Sequence, residues 1–387
     1  MYMISKSQLQ ERYTYIFGEE AQLFAKSPGR INIIGEHTDY NEGFVLPAAI
    51  DKAVYVAVGK RNDNRIRLYA EDFKELFDTS LDQVEPSNLG WPNYILGVVK
   101  QMQEANLQLA GFNLYVDGDI PVGAGLSSSA ALECAAGFAL NALFDLGLDR
   151  VTLAKMGQQA EHEYAGVKCG IMDQFASILS KEKQVIKLDC RDLSYTYVPL
   201  ELGDYEILLL NTNVKHALAS SAYNDRRAAC ERAVAILQEK HPEVMSLRDA
   251  TSEWLLQEVQ PVDAEAFRKA QFVLAENNRV VKACEALAQG DIQALGEQLF
   301  LAHEGLSKEY EVSCAELDFL VEKVKTMDAV LGARMMGGGF GGCTINIVKK
   351  GYAQQVVDAL RPAYEAAFQL PLSPIFVQSN PGTALLN

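Results

Sequence analysis

A chain of 387 residues is too long for one compact core, so two domains are expected. Hydrophobic residues make up 49% and charged residues 22%, the profile of a globular protein, with no low-complexity tract or Pro-rich linker to hold domains apart. The net charge of −16 argues against nucleic acid or an anionic membrane as partner; an anionic substrate would have to be drawn in by local devices such as helix N-termini, backbone N–H groups, a few basic residues and a metal ion.

The opening stretch MYMISKSQLQERYTYIFGEE reads as a helix, with charged and polar residues where a targeting segment needs an apolar core. Leu23–Lys26 reads as a short strand, broken at Ser27-Pro28-Gly29 and resumed over Arg30–Ile34. Strands follow at Val54–Lys60, Ile66–Tyr69 and Phe112–Val116. Trp91–Ala105 has the helical spacing of Ile95, Val98, Val99 and Met102. A second helix is expected from Ser127–Ser129 to Phe144, a third from the N-cap Asp149 to about Gly166, and a fourth from about Ile171. Tyr205–Leu210 reads as a strand that opens a mostly helical second half, with periodic stretches at Ser221–Lys240, Asp263–Ala288 and Glu316–Lys325. A glycine cluster at Gly337–Gly342 and a strand at Thr344–Val348 follow. Strands mixed with helices in both halves predict an α+β protein, divided near residue 200 into segments 1–200 and 201–387. Seven cysteines, odd in number, scattered and never spaced C-x-x-C, point to free thiols and a cytoplasmic location.

Three segments carry chemistry. In Pro121-Val-Gly-Ala-Gly-Leu-Ser-Ser-Ser-Ala-Ala-Leu-Glu133, glycines and serines lie between a strand and a helix start. Such a turn presents backbone N–H groups and hydroxyls to phosphate, although glycine and serine are also ordinary helix-capping residues. The order of residues is neither a Walker A loop nor a Rossmann fingerprint. In Gly29-Arg-Ile-Asn-Ile-Ile-Gly-Glu-His-Thr-Asp-Tyr40, more charge gathers than a buried strand carries, which predicts a cleft. Two carboxylates three residues apart suit a row of sugar hydroxyls; a solvated loop with an Arg–Glu pair is the plain alternative. In Gln158-Gln-Ala-Glu-His-Glu-Tyr164 and Gly170-Ile-Met-Asp-Gln-Phe-Ala-Ser177, Glu161 can complete a Mg²⁺ shell with a loop serine, since this hard ion takes one or two carboxylates with phosphates and water. Asp173 falls in a first helical turn, where it is either a dipole-favoured surface acid or a catalytic carboxylate. In Met335-Met-Gly-Gly-Gly-Phe-Gly-Gly-Cys343, the glycine density predicts either close backbone approach to a ligand or loop, or a bulged hairpin corner.

These segments, in this order, resemble the GHMP kinases. PVGAGLSSSAALE looks like the family's ATP loop, MMGGGFGGCT like its third motif, and GRINIIGEHTDYNEGFVLP like the signature of the members that phosphorylate galactose. The resemblance implies a two-domain fold with its active site in the cleft between domains. It implies that Gly123, Ala124, Gly125, Leu126, Ser127, Ser128 and Ser129 wrap the ATP phosphates, and that Ser129 and Glu161 hold Mg²⁺. It further implies that Glu36, His37, Thr38, Asp39, Gly170 and Tyr223 contact D-galactose. Asp173 would act on the C1 hydroxyl, with Arg30 stabilising the transition state. The implied reaction converts α-D-galactose and ATP to galactose 1-phosphate and ADP, with no nucleic-acid or membrane partner and a monomer as the expected state. A kinase for N-acetylgalactosamine or galacturonate, and a sugar sensor without catalysis, are the rival readings; a sensor should show a damaged phosphate loop, and here Ser127–Ala131 is continuous.

Overall fold

A computed structural model describes residues 4–121, 123–214 and 219–386. The first half runs α1 (Lys6–Phe17), β1 (Leu23–Asn32), β2 (Phe44–Val45), β3 (Pro47–Lys60), β4 (Arg65–Ala70), β5 (Glu75–Ser80), α2 (Pro92–Glu104), β6 (Phe112–Gly118), α3 (Ser128–Phe144), α4 (Arg150–Ala160), α5 (Met172–Leu179), β7 (Gln184–Asp189) and β8 (Tyr195–Pro199). The second half runs β9 (Tyr205–Asn211), α6 (Ala219–Gln238), α7 (Ser252–Trp254), α8 (Ala264–Gln289), α9 (Ile292–Lys308), α10 (Ala315–Val324), β10 (Val330–Met335), β11 (Cys343–Lys349), α11 (Ala353–Phe368), β12 (Ser373–Phe376) and β13 (Ala384–Leu385).

Local signals account for many of the boundaries. Ser5 and Gln8 form a reciprocal capping box at the start of α1, and Gly18 closes that helix in the left-handed region. Asp149 caps α4 by accepting from the backbone of Val151 and Thr152. In α2, Pro92 occupies the first turn, and Ile95, Leu96, Val98, Val99 and Met102 are buried. Burial of each such side chain is favourable by about 1.5–3 kcal/mol, which fixes the face the helix presents.

A six-stranded sheet of order β13-β1-β3-β6-β4-β5 forms the frame of the first half. Helices α3 and α5 pack on its β1 and β3 strands, with α2 and α4 behind them. Leu9 and Tyr13 of α1 join Phe24, Tyr55 and Tyr115 in a separate small cluster. A three-stranded sheet, β2-β7-β8, adjoins this frame, and a four-stranded sheet, β10-β11-β9-β12, organises the second half with α9 and α10 against β10. The last strand returns to the first half, where Ala384 and Leu385 pair with Lys26 and Ala25 of β1.

One expectation needs correction. Ser27-Pro28-Gly29 does not break the first strand; β1 runs on to Asn32, with a register shift against β3 between Pro28 and Arg30. Proline's fixed φ suits an extended chain, and its missing N–H is tolerated at a bulge. The bulge brings Gly29 and Arg30 against the loop before α3: the Arg30 N–H donates to the Leu126 carbonyl at 3.1 Å. A Cβ on Gly29 would stand 2.7 Å from that same oxygen, so the contact needs glycine.

Candidate active site

Arg30 is delivered by the bulge of β1, and Asp173 by the first turn of α5, which packs on β1. The guanidinium meets the carboxylate as a fork, Nε and Nη2 donating to Oδ1 and Oδ2 at 2.7 and 2.8 Å. Nη1 donates to the Gly125 carbonyl at 2.6 Å, so the same arginine also holds the glycine-serine loop. Burial alone would lower the Arg30 pKa, but the charges of Asp173, Glu36 and Asp39 raise it above the ordinary value. Ser127 donates its hydroxyl to Asp173 Oδ2 instead of capping α3, and its backbone sits in the left-handed region at φ 59°. A non-glycine residue in that region is a local strain of the sort that gathers at functional sites. The capping alternative for Ser127 is therefore not what its side chain does.

Around this pair lies a cavity of about 130 Å³. Arg30, Glu36, His37, Asp39, Glu161, Gly170, Asp173 and Tyr223 all reach its walls, along with Gly337 and Gly338. Glu36 is buried, and its Oε1 accepts from Arg334 Nη2 at 3.0 Å and from the Gly337 N–H at 2.8 Å. Arg334 has no solvent exposure and also donates to the carbonyls of Ile33 and Met335. It thus ties β10 to the end of β1 and fixes Glu36, a role that a lone arginine in a strand did not announce. His37 bonds the Tyr40 hydroxyl through Nδ1 at 2.7 Å, and its ring lies 5.1 Å from that of Tyr223. Burial pulls the His37 pKa down to about 4, so the imidazole is neutral.

Asp39 is pushed up to about 7 by burial and by the negative charge of Asp173. Its carboxylate lies against Gly170 so closely that a Cβ there would overlap it. An alanine at Gly170 would therefore push the Asp39 carboxylate out of its place in the cavity wall. Thr38 does not reach the cavity. Its buried hydroxyl lies within bonding distance of the Gly35 and Phe44 carbonyls, at 2.9 and 2.6 Å, and holds the loop that presents its neighbours.

The glycine cluster joins β10 to β11, and its backbone meets the glycine-serine loop before α3. Gly337 lies against Gly125, Gly342 against Ala124, and a side chain on Gly339 would overlap the Val312 carbonyl. Both sequence readings thus apply, since this is a hairpin connection and a close backbone approach at once.

Behind the loop, Ser129 Oγ lies 3.4 Å from Glu161 Oε1, and Gln174 Nε2 donates to Glu161 Oε2 at 3.0 Å. Glu161 is not a surface acid: it sits buried in a π turn at the end of α4, and burial with the Asp173 charge pushes its pKa up to about 7. Among the described residues, no three His, Cys, Asp or Glu side chains are arranged to hold a metal by themselves. A pair of hard oxygen donors beside the glycine-serine loop nevertheless fits Mg²⁺, which takes one or two protein oxygens and keeps waters.

A second cavity, of about 210 Å³, was not foreseen. Phe73, Trp91, Tyr94 and Leu132 line it, and it shares Ser128 and Ser129 with the loop. Phe73 and Trp91 lie 6.4 Å apart with their planes within 18°. The sequence signal was two aromatic residues separated by a strand and a turn, which only the fold brings together.

Models for the N-terminal and C-terminal domains of GHMP kinases match residues 93–181 and 283–366, and a galactokinase galactose-binding signature matches residues 11–60. The fold and site thus define a GHMP kinase. A mevalonate kinase from Methanococcus jannaschii shares this fold, with a TM-score of 0.63 at 18% identity over 92% of this chain and 98% of the other. The galactokinase of Thermotoga neapolitana is 42% identical over 90% of this chain and 95% of its own length, and that of Streptococcus mutans is 44% identical over 90% of each. The structure of Lactococcus lactis galactokinase complexed with galactose matches with a TM-score of 0.94 and 37% identity, covering 98% of this chain and 99% of that one. The chain belongs to the galactokinase family.

Proposed function

We propose that this chain transfers the γ-phosphoryl group of ATP to the C1 hydroxyl of α-D-galactose, giving galactose 1-phosphate and ADP. The observation that carries the reading is the Arg30–Asp173 fork, bonded on one side to Gly125 and Ser127 of the phosphate loop and open on the other to the cavity of Glu36, His37 and Asp39.

In this reading Glu36, His37, Asp39 and Tyr223 bind the sugar hydroxyls, Gly170 leaves room for Asp39, and Thr38 supports the loop. Gly123–Ser129 cradles the phosphates, and the aromatic cavity beside Ser128 takes the adenine ring, which stacks well on indole. Ser129 and Glu161 would hold Mg²⁺, whose charge would offset that of the transferring phosphates. Asp173 orients the C1 hydroxyl and takes its proton, and Arg30 meets the negative charge that shifts during transfer. Phosphoryl transfer passes through a loose transition state, so positioning and charge supply most of the rate. Residues 1–200 and 201–387 are read as the two lobes flanking the site, with the final strand packed back on the first. The free state of all seven cysteines favours a reducing, cytoplasmic setting, and we read the enzyme as a monomer. Among the described residues, no helix is long and apolar enough to cross a membrane.

A panel of galactose, glucose, N-acetylgalactosamine and galacturonate with ATP and Mg²⁺ tests the reading. Losing one hydrogen bond to a charged acceptor costs about 1.5–3 kcal/mol, so kcat/KM for galactose should exceed that for its C4 epimer glucose by roughly 10- to 100-fold. Equal values would reject the sugar assignment.

A further inference from the structure

Asp173 and Gln174 are neighbours on the first turn of α5, yet they face opposite ways. Asp173 opens on the sugar cavity, while Gln174 is fully buried between α3 and α4 and is absent from that cavity's lining. Its amide spends both donors on carboxylates: Nε2 donates to Glu161 Oε2 at 3.0 Å and to Glu133 Oε2 at 2.9 Å. Glu133 closes the phosphate-loop motif in the sequence and has almost no exposure. Among the described residues, Glu133 Oε1 and Gln174 Oε1 have no hydrogen-bond partner. Gly157 of α4 leaves the room, since a Cβ there would stand 3.1 Å from Gln174 Cγ and 3.3 Å from Glu133 Oε2.

We propose that Gln174, braced by Glu133, is a positioning residue that fixes Glu161 so that Oε1 faces Ser129 and the metal. The inference rests on the reading of Glu161 as a Mg²⁺ ligand. The amide occupies Oε2 and sets the carboxylate plane, leaving Oε1 beside the Ser129 hydroxyl, 3.4 Å away. Partners that orient a metal ligand from behind typically contribute 10- to 100-fold to metal affinity. Because Gln174 follows Asp173 directly, one turn of helix sets both the carboxylate facing the sugar and the one facing the metal.

The test is calorimetric, with the full chain and the non-hydrolysable ATP analogue AMP-PNP, measured with and without Mg²⁺. The readout is the gain in nucleotide affinity that Mg²⁺ produces. In Gln174→Met, which keeps length but has no donors, that gain should shrink at least tenfold, while metal-free nucleotide affinity and galactose affinity stay within about twofold. Excess Mg²⁺ should restore kcat. Glu133→Gln keeps an acceptor for the amide and should behave as wild type; Glu133→Ala should follow Gln174→Met and serves in its place if that variant melts early. A normal Mg²⁺ gain in both Gln174→Met and Glu133→Ala, with the gain lost in Glu161→Gln, overturns the positioning role but leaves the metal reading intact. A normal gain in Glu161→Gln as well overturns both.

Discussion

Asp173→Asn is expected to lower kcat by about 10²–10⁴-fold while galactose still binds, the range typical of removing a general base. The substitution keeps the shape of the side chain and its reach toward the C1 hydroxyl, but an amide cannot accept the proton. It also changes the local hydrogen bonding. The two carboxylate oxygens now accept from Arg30 Nε, Arg30 Nη2 and the Ser127 hydroxyl, and an amide offers only one oxygen to those three donors. Breaking a buried ion pair can cost several kcal/mol, but the Asp173 side chain is 26% exposed, which lets water take up part of the loss. Thermal melting of the variant therefore comes before kinetics. A folded protein with near-normal kcat would show that Asp173 only orients the hydroxyl.

Arg30→Ala should lower kcat by about 10²–10³-fold, the range seen when one preorganised donor is removed from a site of developing charge, with a smaller change in KM. Arg30→Lys should recover little of this. The guanidinium serves two partners at once, forking Asp173 and reaching the Gly125 carbonyl, and a single ammonium cannot span both. If the fork makes Arg30 and Asp173 act as one unit, the double variant Arg30→Ala/Asp173→Asn should be little worse than either alone. Additive losses measured by steady-state kinetics would mean that the two residues work independently.

Much of this site was legible because its residues come in short runs of dense chemistry. The stretch from Arg30 to Asp39 crowds charges beside glycines, and the run from Gly123 to Ser129 joins glycines to hydroxyls before a helix, so local sequence alone pointed to a cleft and a phosphate loop. Helix α4 was readable from its capping residue Asp149, and α8 from the periodicity of the stretch Asp263–Ala288. What was not legible depends on packing between distant segments. Arg334 meets Glu36 across 298 positions of sequence, and Gln174 reaches Glu133 across 41, so neither partnership leaves a periodic trace. The aromatic cavity needs Phe73 and Trp91 from separate elements to share a wall. Thr38 sits in the middle of the sugar motif, yet its side chain turns inward, and nothing in the order of residues distinguishes the wall from its support. The strand β13 pairs with β1 from the other end of the chain, and its short length gives no hydrophobic alternation to detect.

The most direct test is the position of the phosphate in the product. Wild-type protein with ATP, Mg²⁺ and ¹³C1-labelled galactose should yield a single phosphorylated sugar whose C1 signal is split by coupling to phosphorus and whose C1 proton has the small coupling of the α anomer. Phosphate on C6, or no phosphorylated galactose from a folded protein, would contradict the assignment of Asp173 and its surroundings to the C1 hydroxyl.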